Sequence, residues 1–186
     1  MQSFWSNEDD FQGFLLKNYR RNFLRNIYPK VTKIAGVNLT PDIDVLGIDF
    51  NNKWIAGYEF KVLNKKTKDA NYSQIYSGIG QALLCLNYGV DYAYLVLGIP
   101  KTSNIDVYFQ KIKSVCNLIE FIAKSTNHFD RFKIWTFDEK NSLRGDFEMK
   151  TQIPIDELSR NNILSMKFTW TKGKHFLTKY SISQIN

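Results

Sequence analysis

Apolar residues near the start of the chain recur at three- and four-residue spacing, the pattern of an amphipathic helix. They are Phe11, Phe14, Leu15, Tyr19, Phe23 and Ile27. Ser6 can cap this helix, acids occupy its first turn, and arginines lie towards its end, an order that the helix dipole favours. The pattern therefore predicts a first helix that extends to about Ile27.

Two apolar segments come next, at residues 43–50 and 53–63, and each has the composition of a strand. Asn51 and Asn52 lie between them, and asparagine tolerates the left-handed backbone that tight turns use. The sequence therefore predicts a β-hairpin that turns at these two asparagines.

Helices and strands alternate in the rest of the chain. Apolar positions in residues 75–86 mark one helical face, and Gly89 ends that helix. Residues 91–99 form a continuous apolar run, typical of a strand buried on both faces, and a strand that follows a helix implies a parallel crossover. A third helix over about 107–122, a strand at 132–137 and a terminal hairpin over 168–180, turning at 172–173, complete the order α-β-β-α-β-α-β. This order predicts an α/β fold with a mixed sheet.

Composition restricts the class of protein. With 186 residues, 44% of them hydrophobic, the chain can bury one full core, so we expect a single domain over 1–186, with its core at about 6–140 and a basic extension or hairpin at about 150–186. No apolar run approaches the roughly 20 residues of a membrane helix, and the start lacks an export signal, so an intracellular, cytoplasmic location without membrane partners is expected. Two histidines and two cysteines, none at ligand spacing, argue against zinc.

The distribution of charge points to a partner. The net charge is +7, and no acid occurs in residues 11–41 or 158–186, whereas acids gather at Asp42, Asp44, Asp49 and Glu59. A basic surface around an acidic focus is typical of a protein that binds a phosphate backbone beside a metal ion.

The register of the predicted hairpin determines which acids meet. A turn at the two asparagines places Asp44 opposite Glu59 and Asp42 opposite Lys61, and alternation along the strands then puts all four on one face. A turn one residue earlier would instead place Asp42 opposite Glu59. Asp44 is therefore the first choice for a site residue, and Asp42 is the alternative or a supporting residue.

Opposed carboxylates need compensation, because like charges placed so are destabilising by up to roughly 1 kcal/mol. A divalent cation supplies it, since Mg²⁺ prefers one or two carboxylates together with waters and phosphate oxygens. Lys61 could orient or deprotonate an attacking water and offset charge on the phosphate. The alternative is a surface salt-bridge cluster on an exposed sheet face.

The motif Pro41-Asp42-Ile43-Asp44, followed by Glu59-Phe60-Lys61, resembles the PD-(D/E)xK nuclease superfamily, which includes restriction enzymes, archaeal Holliday-junction resolvases and RecB-type exonucleases. The resemblance covers about residues 6 to 100. It implies a restriction-endonuclease-like αβββαβ core, with a central mixed sheet flanked by helices. It also implies hydrolysis of DNA phosphodiester bonds with Mg²⁺ or Mn²⁺ as cofactor.

Two further site positions follow from the resemblance. Many members carry a glutamine on the helix after the ExK strand, which corresponds here to Gln81, with Gln74 as second choice. Several members have an acid on the first helix that completes the metal site, which corresponds to Glu8, or less well to Asp9 or Asp10. First-turn acids that favour the helix dipole are the competing interpretation of these three.

Basic residues along the chain are expected to hold backbone phosphates: Arg20, Arg21, Lys65, Lys66, Lys68, Lys172 and Lys174. Such contacts carry no base information, so little sequence specificity is expected, on duplex, branched or single-stranded DNA ends. Symmetric cutting of two strands would need a homodimer, an expectation from the family. The alternative function is a catalytically inactive nuclease-fold protein that binds nucleic acid or assembles a complex.

Overall fold

The computed structural model describes residues 5, 7–34, 37–63, 70–99, 105–123, 131–138, 143–149, 157–164, 166–171 and 174–179. Their helices are α1 (Glu8–Asn18), α2 (Ala70–Asn87), α3 (Ile105–Ala123) and α4 (Glu157–Leu164), with a 3₁₀ helix at Arg20–Asn22. Their strands are β1 (Asn26–Ile34), β2 (Val37–Asp49), β3 (Trp54–Val62), β4 (Tyr92–Ile99), β5 (Phe132–Asp138), β6 (Leu143–Met149), β7 (Met166–Thr171) and β8 (Lys174–Lys179).

All eight strands belong to one sheet, in the order β6-β5-β4-β3-β2-β1-β8-β7. Strands β3, β4 and β5 run parallel, because α2 and α3 cross between them, whereas β1, β2 and β3 are antiparallel neighbours. The predicted α/β class with a mixed sheet is confirmed. The predicted terminal hairpin is also present, since β7 pairs antiparallel with β8, and β8 then extends the sheet by parallel pairing with β1.

The first helix is shorter than its apolar pattern predicts. It begins after Asn7, whose side chain accepts a 2.8 Å hydrogen bond from the main-chain N–H of Asp10, and it ends at Asn18. Ile27 lies instead in β1. Pro29 has no N–H to continue a helix, and pairing with β2 satisfies the backbone on either side of it. The predicted extension to Ile27 is therefore wrong.

The hairpin between β2 and β3 has the register that a turn at the two asparagines requires, as the pairing of Val45 with Tyr58 shows. Its chemistry differs from the prediction. Asp49 accepts a 3.0 Å hydrogen bond from the N–H of Asn51, and the residue with a left-handed backbone is Lys53, at φ 56°. The register prediction is confirmed for the paired residues, Val45–Asp49 with Trp54–Tyr58, although an aspartate side chain stabilises the turn.

Alternate residues of β3 enter two separate cores. Gly57 contacts α2, where an added Cβ would lie 2.9 Å from the Cβ of Cys85. Phe60 faces the other way, with its ring centroid 5.9 Å from that of Phe11 on α1. Because side chains alternate along a strand, Glu59 shares the α2 side with Gly57.

Helix α4 contacts the sheet near the start of β3, at the opposite end of that strand from Lys61. Arg160 Nε lies 2.6 Å from Asp91 Oδ1, and Ile163 is fully buried. The second oxygen of Asp91 accepts a 2.8 Å hydrogen bond from the N–H of Ile55 in β3. The pair therefore joins α4 to the start of β3. Among the described residues, no helix is both long and apolar enough to span a membrane.

Candidate active site

Three of the predicted site residues converge near the end of β3. Lys61 Nζ lies 2.7 Å from Glu59 Oε1, and the carboxyl groups of Asp44 and Glu59 interact with each other. Asp44 Oδ2 also accepts a 2.8 Å hydrogen bond from the main-chain N–H of Phe60. Two carboxylates and one ammonium group therefore share a single site.

The Glu59 carboxyl is nearly inaccessible, with 3% of its side chain exposed. Burial, reinforced by the negative charge of Asp44, raises the pKa of Glu59 from its ordinary 4.5 to about 7, although Lys61 acts in the opposite direction. Burial also raises the pKa of Asp44, against the hydrogen bond from Phe60. The pair therefore holds a proton near neutral pH more strongly than exposed acids would.

Lys61 remains charged in this environment. Burial disfavours its ammonium form, but the hydrogen bond to Glu59 and the charges of Glu8 and Asp44 together raise its pKa. Of the two roles expected for this lysine, the geometry favours orientation of a water or phosphate over removal of a proton, because a base must first be neutral.

Glu8 reaches the site from the start of α1. Its Oε2 lies 3.4 Å from Lys61 Nζ, so it contacts the site through the lysine. Its neighbour Asp9 pairs with Lys30 at 3.1 Å instead. Gln12, one helical turn after Glu8, donates a 3.1 Å hydrogen bond to the main-chain oxygen of Asp44, which further fixes α1 against β2.

Asp42 is exposed and lies outside the carboxylate pair. Its charge contributes to raising the pKa of Tyr88, after burial, whereas the acids that raise the pKa of Glu59 are Asp44 and Glu8. The pairing of β2 with β3 extends only to Val45, so the chain before Asp44 leaves β3. The structure thus brings Asp44, the first choice from the sequence, to Glu59.

Close contacts at two glycines show how helix α2 lies over β3. Gly57 of β3 meets Cys85, and an added Cβ on Gly78 would lie 3.0 Å from Lys61 Cγ. The charges of Glu59 and Asp44 both act on the Cys85 thiol, whose pKa is raised mainly by burial. The helix therefore runs over β3 from Lys61 back to Gly57.

Gln81 lies on α2 between Gly78 and Cys85, the two residues that contact β3. Its side-chain Oε1 is buried and has no hydrogen-bond partner among the described residues. An unpaired buried amide oxygen is rare and costs roughly 1–3 kcal/mol, so it indicates a place for a further group. Gln74, the second choice, is half-buried two turns earlier on α2.

The basic residues expected to bind phosphate are described in part. Arg20 donates hydrogen bonds to the main-chain oxygens of Leu24 and Arg25, and Arg21 is exposed. Lys174 begins β8, and nothing further is described of its side chain. Four of the predicted lysines lie outside the described residues: Lys65, Lys66, Lys68 and Lys172.

Two site features were missed from the sequence. The main-chain N–H of Phe60 donates a hydrogen bond to Asp44. Every residue except proline has such a donor, so the residue types in the sequence do not reveal this contact. The contact of Gly78 with Lys61 had a signal, because a glycine inside a helical pattern often marks close packing.

The acids of the site are the residues that could bind a metal ion. Within the described ranges, no group of three or more His, Cys, Asp or Glu residues is placed to hold one. Asp44 and Glu59 nevertheless fit Mg²⁺, which binds through one or two carboxylates and keeps several waters. Burial and the charge of Asp44 raise the pKa of Glu59, and a cation bound by the two carboxylates would offset both effects.

No family model, no curated protein and no solved structure matches the chain.

Proposed function

We propose that the chain is a divalent-metal-dependent nuclease that hydrolyses DNA phosphodiester bonds with little sequence specificity. The observation that carries this proposal is the convergence of Asp44, Glu59 and Lys61 in one partly buried site. The order α1-β1-β2-β3-α2-β4 agrees with the restriction-endonuclease-like αβββαβ core of the PD-(D/E)xK superfamily and adds support.

Asp44 and Glu59 are the residues that would hold Mg²⁺ or Mn²⁺. Their mutual repulsion and burial disfavour two negative charges, and a cation between them removes that cost. Such an ion lowers the pKa of its bound water and stabilises negative charge on the phosphate. The buried Gln81 amide oxygen, which has no partner among the described residues, would accept a hydrogen bond from a water at the site.

Lys61 supplies a positive charge beside the carboxylates. It would donate hydrogen bonds to the attacking water or to a phosphate oxygen, where charge grows in the transition state. Glu8 holds the same ammonium group from a second direction. We therefore assign Glu8 a positioning role on Lys61, in addition to the metal-ligand role that the family resemblance implies.

Substrate binding in this proposal depends on phosphate contacts. Arg20 and Arg21 are described and lie just after α1, and the predicted lysines would extend the basic surface. Phosphate contacts fix position without selecting bases, which accounts for low sequence specificity.

One observation favours the alternative of an inactive nuclease-fold protein that binds nucleic acid or assembles a complex. Among the described residues, the acids do not form a group of three at metal-binding distance. The 2.7 Å contact between Glu59 and Lys61 argues against idle carboxylates, since burying a charged pair costs desolvation.

The test is an assay of purified protein on labelled duplex, branched and single-stranded DNA with Mg²⁺, Mn²⁺ or EDTA. We expect cutting only with metal, and its loss in Glu59→Ala and Lys61→Ala. Asp9→Ala is a control, because it removes a first-turn acid that pairs elsewhere. Equal cutting by the Glu59 and Lys61 variants would contradict the mechanism, and binding without metal-dependent cutting would favour the alternative.

A further inference from the structure

A row of aromatic side chains lies on the face of the sheet opposite Glu59. Its members, called here the aromatic row, are Trp54, Tyr92, Tyr94 and Trp135. Trp54 and Tyr92 stack with ring centroids 5.1 Å apart and planes 25° apart, and Tyr94 and Trp135 lie 4.5 Å apart. The row crosses three neighbouring strands, β3, β4 and β5.

One end of the row is covered and the other is open. Phe23 packs near Trp135, with ring centroids 6.1 Å apart, and is itself buried. Trp54, at the other end, is 47% exposed, whereas Trp5 is almost completely buried. The open end therefore presents flat aromatic surface to solvent at the start of β3.

Positive charge borders this open end. Lys53 directly precedes Trp54 and is exposed, and Arg25 is exposed at the start of β1. Arg25 acts on the charge of Asp49, the residue paired with Trp54 across the β2–β3 hairpin. Asp49 accepts hydrogen bonds from the turn backbone and keeps its negative charge, so Arg25 and Lys53 together leave a net positive charge beside the tryptophan.

At the far end of the row, Trp135 lies on β5, which is followed in the sheet by β6, and Phe23 packs near its ring. A polyanion on this face would therefore bind at the open Trp54 end, with its phosphates towards Arg25 and Lys53.

We propose that the open end of the aromatic row binds single-stranded nucleic acid, with bases stacked on Trp54 and Tyr92. Aromatic side chains on a sheet surface stack unpaired bases without sequence preference, and adjacent cations hold the backbone. Trp54 lies five residues from Glu59, about 17 Å along β3, and on the other face. The open end of the aromatic row would therefore hold a nucleic-acid strand at a distance from the reacting bond. That nucleic acid is the partner rests on the proposed nuclease function.

The test measures binding of fluorescent dT and rU oligonucleotides, and of a duplex of equal length, to the whole protein in EDTA. We expect Trp54→Ala to weaken binding of both single strands by about 5–150-fold, the range for loss of one stacked base. Trp54→Phe should retain most of the affinity. Tyr76→Ala is the matched control, because Tyr76 is 46% exposed on α2, and it should bind as the parent does.

Unchanged affinity of Trp54→Ala, an equal loss on duplex, or no binding of either oligonucleotide by the parent would overturn the proposal. Unfolding curves of each variant show whether a loss reflects folding. Cutting in Mg²⁺ is measured separately, so the two ideas fail independently. Trp54-dependent binding without any cutting rejects only the nuclease, and cutting without Trp54-dependent binding rejects only this surface.

Discussion

Asp44 Oδ2 accepts a 2.8 Å hydrogen bond from the main-chain N–H of Phe60, a contact between neighbouring strands. This bond holds the Asp44 carboxylate beside Glu59 at the point where the β2–β3 pairing ends. Asp42, on the same strand, lies outside the pair. The bond therefore distinguishes two aspartates that sequence reasoning could rank but not separate.

Asp44→Asn should reduce metal-dependent cutting by more than the roughly 10–100-fold that is typical of residues that only support a metal ligand. Asparagine keeps an oxygen that can accept from Phe60, so the variant removes mainly the charge. Asp42→Asn is the matched control and should retain nearly full activity. Cleavage rates at saturating Mg²⁺ decide this, and equal loss in both variants would contradict the assignment.

The metal-free protein should lose stability as pH rises towards neutral. The pKa of Glu59 is raised to about 7, so the folded chain binds its proton more tightly than the unfolded chain does. Its contribution is complete below pH 4.5 and is lost by about pH 7, up to about 3 kcal/mol in total. Asp44, whose pKa is also raised, acts with the same sign.

Denaturant unfolding in EDTA from pH 5 to 8 measures this decline. Glu59→Gln should flatten it, because the amide does not titrate, and should be at least as stable as the parent at pH 8. A parent profile that rises with pH over this window, or an unchanged slope in the variant, would be evidence against a buried protonated Glu59.

Mg²⁺ or Mn²⁺ should stabilise the parent protein. At 100 times the dissociation constant, binding adds about 2.7 kcal/mol, which corresponds to roughly 5–10 °C in melting temperature for a chain of this size. The gain should be smaller at pH 5 than at pH 8, since the carboxylates must lose protons to bind. Thermal melts check this, and the same shift in Asp44→Asn would place the ion elsewhere.

Gly78→Ala should reduce both stability and cutting. The added Cβ would lie 2.6 Å from Leu95 Cδ1 and 3.0 Å from Lys61 Cγ, which forces the helix or the lysine to move. We expect a loss of about 1–3 kcal/mol in unfolding free energy. Gly80→Ala, two residues on and with nothing within 4 Å, should instead gain up to about 1 kcal/mol of helix propensity.

Gln81→Met should separate function from folding. Methionine removes the buried unpaired Oε1, so the free energy of unfolding should stay the same or rise by about 1 kcal/mol. Cutting should fall by about 10–100-fold if the amide orders a water at the metal. Gln74→Met serves as the control, and a variant that is less stable yet fully active would show a structural role instead.

Local pattern was sufficient for some elements. The two strands around the asparagine pair, the helix that ends at Gly89 and the buried strand after it follow from side-chain periodicity, and their register follows from the turn. Strand β1 was missed because its residues continue the apolar spacing of α1, and only pairing with β2 makes them a strand. Helix α4 and strand β6 were missed because their apolar residues are few.

The sequence by itself determined that Glu59 and Lys61 share one face with an aspartate of the neighbouring strand, because strand alternation and a short turn are local properties of the chain, and it ranked Asp44 before Asp42. The tertiary structure decided what surrounds them. Burial under α2 raises the pKa of Glu59, and the approach of α1 brings Glu8 to Lys61. Both depend on how helices distant in sequence pack on the sheet, and no local pattern of residues specifies that packing.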